Sequence, residues 1–108
     1  MHIIIDRDAV CAADDMSHHR EEFTVPDDIT IASLFEYLEF KYIPVIAGNN
    51  VAWALHHHDI EVGTYFTQNR SFINGNVPLL SIISNSERGN EFYLRYYSSP
   101  DRYRKHFI

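Results

Sequence analysis

Between Pro26 and Pro44 the chain reads PDDITIASLFEYLEFKYIP. Ile31, Leu34, Phe35, Leu38 and Tyr42 fall there at i, i+3, i+4, i+7 and i+11. Only a helix gathers residues so spaced on one side, so the segment predicts a helix of about three turns with a single apolar stripe. Pro26, Asp27, Asp28 and Thr30 supply its start, offering a capping oxygen and negative charge near the positive helix end. Pro44 supplies the stop, because a residue before proline is pushed out of helical geometry. Phe40 points away from the stripe. A helix with one apolar face must bury it against something, and the rest of the chain offers strands.

His2 to Ile5 is a β-branched run, and Arg20 to Val25 alternates with Phe23 and Val25 on one side. Together they predict an N-terminal hairpin whose loop carries Asp14, Asp15, His18 and His19. After the turn at Gly48–Asn50, VAWALHH places Val51, Trp53, Leu55 and His57 on one face and Ala52, Ala54, His56 and His58 on the other. IEVGTYF reads as a further strand, and TQNRSFINGN as a loop closed by Asn74–Gly75. LLSIIS and EFYLRYYS read as the strands of a C-terminal hairpin. Residues 100–108 form a basic, aromatic tail. The sum is an α+β chain of one domain, residues 1–108, with a single helix packed on a mixed β-sheet.

The stretch FTVPDDITIASLFEYLEFKYIP resembles the second strand, helix and following Ile-Pro of the ubiquitin-like β-grasp fold. The resemblance rests on Val25, Pro26, Thr30, Ile31, Leu34, Leu38 and Ile43-Pro44, and it covers about the first half of the chain. It implies a β-grasp-like sheet with extra strands, since Val51 to Asn76 is longer than a minimal member needs. The chain finishes HFI where conjugated members and sulfur carriers finish Gly-Gly, so conjugation is not expected. Ferredoxin-type members need clustered cysteines, and Cys11 is the only cysteine.

Charge narrows the functional classes. Residues 1–40 hold ten acids against Arg7 and Arg20, a net of −8, whereas residues 41–108 carry +2; the whole chain is −6. Such acidity argues against a nucleic-acid binder, which needs clustered Lys and Arg. No apolar run approaches the roughly 18 residues of a membrane span, and the expectation is a cytoplasmic protein with no membrane partner.

The run ALHHHD, residues 54–59, raises the question of metal. On a regular strand His56 and His58 project to one side about 7 Å apart and could share an ion. A site needs more ligands, for which Asp59, His18 and His19 are the candidates, and nothing in the sequence fixes one in space. The run therefore reads as sheet, and no cofactor is expected. Cys11 has acidic neighbours that oppose thiolate formation, and no Gly-x-Ser-x-Gly elbow or glycine-rich phosphate loop exists. No enzyme is expected.

The remaining signal lies in EFYLRYY. Phe92, Leu94 and Tyr96 alternate with Tyr93, Arg95 and Tyr97, so covering the first set displays two tyrosines and an arginine. Those residue types anchor protein interfaces. The expectation is a non-catalytic protein-binding module acting through Tyr93, Arg95 and Tyr97, with Asp14, Asp15, Glu21 and Glu22 as an acidic surface. Its partner is another protein or a second copy of the chain. The alternatives are a small acidic inhibitor or nucleic-acid mimic of the mobile-element type, and a metal-dependent enzyme built on His56 and His58. The competing fate of the tyrosine face is that the tail, or residues 64–76, folds over it.

Overall fold

A computed structural model describes residues 1–10, 19–43, 50–84 and 89–105. Six strands form one mixed sheet: β1 (His2–Arg7), β2 (Glu21–Thr24), β3 (Ala52–His57), β4 (Ile60–Phe66), β5 (Ser71–Ile73) and β6 (Glu91–Tyr97). Three helices accompany it: α1 (Ile31–Lys41), α2 (Leu79–Ser84) and α3 (Pro100–Lys105). The strand order is β2-β1-β6-β3-β4-β5. β6 runs parallel to β1 and antiparallel to β3, and every other pairing is antiparallel.

α1 forms where the stripe predicts it. Thr30 is the N-cap, its hydroxyl accepting the Ser33 N–H at 3.2 Å. Ile31, Leu34, Phe35 and Leu38 are buried, and Phe40 stands 89% exposed on the far side. Tyr42 ends the helix rather than extending the stripe. Its N–H reaches the Leu38 carbonyl at 2.8 Å, and its hydroxyl donates to the Ile5 carbonyl at 3.1 Å and to that of His19.

The helix lies over Ile3 and Ile5 of β1, Phe92 and Leu94 of β6, and Trp53 and Leu55 of β3, which are all buried in one core. Burial of side chains this size contributes on the order of 1.5–3 kcal/mol each. Gly63 on β4 permits the close approach of α1, because a Cβ there would stand 2.8 Å from Ile31 Cγ2. Next to it Tyr65 stacks on Phe72 at 5.0 Å, and both meet Phe35. Glu39 of α1 then accepts the Tyr65 hydroxyl at 2.6 Å and Arg70 at 2.9 Å, tying the helix to this side of the sheet.

Three expectations need correction. LLSIIS is the helix α2, not a strand: Leu79 is buried, Ile82 and Ile83 half-buried, and Leu80 exposed, which is i, i+3, i+4 spacing hidden in a short β-branched run. Consequently no C-terminal hairpin forms, and β6 instead enters the middle of the sheet. Residues 71–73, expected in a loop, are β5, which pairs with β4 at Thr64↔Ile73 and Phe66↔Ser71. The single expected helix is joined by two short ones, of which α2 closes the core on the α1 side and α3 lies on the opposite face. Among the described residues no helix is long and apolar enough to cross a membrane.

Candidate functional site

The face of the sheet away from α1, called here the outer face, carries the side chains that alternate with the core set. Cross-strand register orders them in rows. Glu22, Ile4 and Glu91 form one row at the start of β6. Asp6, Tyr93, His56 and Glu61 form a second across four strands. Tyr97, Ala52 and Phe66 form a third at the end of β6.

The middle of this face is polar and open. A cleft of about 350 Å³ is lined by Asp8, His56, Asp59, Tyr93 and Arg95. Asp8, just past β1, accepts the Tyr93 hydroxyl and the Tyr96 N–H, the latter at 2.9 Å, and thereby fixes the phenol. Burial, with the Asp8 carboxylate second, pushes the Tyr93 hydroxyl well above its ordinary range. The phenol therefore stays neutral and presents its ring, with 39% of the residue exposed. Arg95 is exposed beside it.

Tyr97 has a different fate. The tail folds over it as α3, with Ser99 as the cap, its hydroxyl accepting the Arg102 N–H at 3.2 Å, and Pro100 at the first helical position. Tyr103 of α3 is buried on Ala52 and Ala54, whose small side chains leave it room. Its ring meets Tyr97 and Phe66 edge-on at 5.2 and 5.4 Å. Its hydroxyl donates to Glu61 at 2.7 Å and accepts from the buried Thr64 at 3.2 Å. So Tyr93 and Arg95 face outward, and Tyr97 is half-buried under the tail. The signal for this latch was present in Ser99-Pro100-Asp101, a helix-start pattern. Asp8, the residue that orients Tyr93, carried no such signal.

The histidine run does not continue as a strand. The β3–β4 pairing shifts register between Leu55 and His56, and the hairpin turns at His58 and Asp59 with φ of 50° and 68°. Positive φ at both central residues gives the backbone twist favoured in two-residue hairpins. His58 therefore leaves the alternation that would have set it beside His56, and its ring lies 4.4 Å from that of His57. His57 faces the core, against Phe92 at 4.9 Å, with Nε2 on the Gly89 carbonyl at 2.8 Å. Among the described residues no three His, Cys, Asp or Glu side chains converge as a metal site.

The acidic candidates divide. Asp14 and Asp15, with Cys11 and His18, lie outside the described residues. Glu21 and Glu22 are exposed on the edge strand β2, Glu22 within 3.3 Å of His2 Nε2. Glu91 accepts from Arg20 at 2.7 Å, and that guanidinium holds its carboxyl below the usual range. The pairing of β2, β1 and β6 thus sets Glu22 and Glu91 on the face of Tyr93 and Arg95, whereas Glu21, opposite the core residue Ile5 and in step with Phe23, lies at the sheet edge on the α1 side. Compared with known proteins, the chain matches no family model, no curated protein and no solved structure.

Proposed function

We propose that this chain is a non-catalytic protein-binding module of ubiquitin-like β-grasp type, acting through the outer face around Tyr93 and Arg95. Support for the fold assignment is topological. A hairpin, a helix crossing over the sheet, and a late strand entering parallel beside the first give the central order β2-β1-β6-β3-β4, with β5 as an added edge strand.

One observation carries the functional reading. Helices α1 and α2 cover one side of the sheet, and α3 covers only the Tyr97 end of the other. Among the described residues that leaves Tyr93, Arg95 and Glu22 exposed on this face, with Asp6 half-exposed beside them. A neutral tyrosine ring held by Asp8 offers contact area at little entropic cost, and Arg95 beside it offers directed donors. The test is comparative capture from host-cell extract by the native chain and by a Tyr93→Ser/Arg95→Ser variant. The expected result is loss of a captured protein at an unchanged melting temperature. Equal capture by both chains would overturn the reading.

A further inference from the structure

The outer face has opposite charges at opposite corners, and the layout is self-complementary. Along the first row stand Glu22 on β2 and Glu91 at the start of β6, joined along β1 by Asp6, against Arg20, which pairs with Glu91. Diagonally across Tyr93 and Arg95, at the far end of β6, stands α3 with Arg102, Arg104 and Lys105. Arg104 is committed to Asp101 at 3.2 Å, whereas Arg102 and Lys105 meet no carboxylate among the described residues. They line an open cleft of about 610 Å³ together with Tyr96, Tyr97 and Ser98. In a chain of net charge −6, this concentration of base on one short helix is the conspicuous exception.

We propose that the outer face binds a second copy of the chain, in a two-fold dimer that sets each acidic corner on the partner's basic α3 and cleft. The proposal rests on the reading of this face as an interaction surface and names its occupant. A two-fold axis lying between two facing sheets, and crossing the diagonal that joins the corners, exchanges acid for base at both ends. Helix α3 adds a layer about 10 Å thick to the outer face, so two facing copies stand apart by that layer and make their contacts where each α3 meets the partner's acidic corner. Opposite charges at both corners steer and register the encounter, and salt weakens it.

The test uses charge reversal and sedimentation. The wild-type chain is expected to be a dimer at about 10 mM salt and to lose at least tenfold in self-affinity at about 500 mM. Asp6→Lys/Glu22→Lys and Arg102→Glu/Lys105→Glu chains should each be monomeric alone, because each sets like charges at both contacts. Mixed together they should form a heterodimer, in which both contacts pair opposite signs again. All four positions are exposed or half-exposed, and equal circular-dichroism melts establish that the variants are folded.

A wild-type chain that is monomeric at low salt overturns the proposal, as does a dimer indifferent to either reversal or a mixture that stays monomeric. The two readings fail separately. A monomeric chain that still loses a captured protein on Tyr93→Ser/Arg95→Ser retains its interaction face and loses only the self-partner. Capture that survives that substitution removes the interaction face itself.

Discussion

Leu38 and Glu36 sit two residues apart on α1 and should respond to alanine to very different degrees. Leu38 is fully buried over the sheet, so Leu38→Ala removes packed methyl groups and leaves a cavity, costing on the order of 2–5 kcal/mol. Glu36 is exposed, and Glu36→Ala should stay within about 0.5 kcal/mol. Urea melts of the two variants decide the matter, and equal effects would mean that the stripe does not carry the core. This contrast was legible from spacing alone, because i+3 and i+4 neighbours are set by helix geometry without reference to the rest of the chain. The environment of Tyr93 was not legible in the same way. Period two put it on the outer face, but the carboxylate that holds it comes from Asp8, 85 residues away. No local pattern announces a partner at that separation.

The β3–β4 hairpin shows where local reading fails for a different reason. ALHHHDIEV contains no Gly or Asn, the usual marks of a two-residue turn, so the alternation reads on through His58. The backbone turns regardless, and His58 and Asp59 take positive φ because β4 must fold back along β3. Non-glycine residues there carry strain of about 1–2 kcal/mol, less for Asp, whose short polar side chain tolerates the region. Asp59→Gly should therefore leave stability unchanged or raise it by up to about 1 kcal/mol. Asp59→Val should lower it by more than about 1 kcal/mol, since a β-branched residue is the worst fit to that backbone. Thermal melts in which valine and glycine behave alike would show that the turn is not what the backbone describes. The same logic explains α2. LLSIIS holds two adjacent isoleucines, a strand-like composition, and only packing of Leu79 beneath α1 reveals the helical period. Element type was readable where the period was long, and lost where it spanned a single turn.

At the scale of the whole molecule, buried tyrosines link stability to alkaline pH. Burial, reinforced by the Glu39 contact, pushes the Tyr65 hydroxyl from an ordinary 10.0 up to about 12. Tyr103 is likewise pushed from 10.0 to about 12, first by burial, with the Glu61 contact opposed by the bond from Thr64. The fold therefore favours the neutral phenol. Its contribution is fully present below about pH 10, where the unfolded chain is also protonated, and is lost as pH rises through about 12. Denaturant midpoints should fall across that window as tyrosinate absorbance grows, and Tyr65→Phe should flatten part of the fall. A midpoint constant from pH 10 to 12 would contradict the assignment. The order of the strands has a consequence of another kind, for how the protein is made. Among the described residues β1–β2 and β3–β4–β5 share no strand pairing except through β6, which follows the other five in the chain. Without it the inner edges of β1 and β3 stand open, with Ile3, Ile5, Trp53 and Leu55 beside them. Before β6 is made, those two edges have no native partner, and open edges flanked by apolar side chains are the kind that pair with a wrong neighbour.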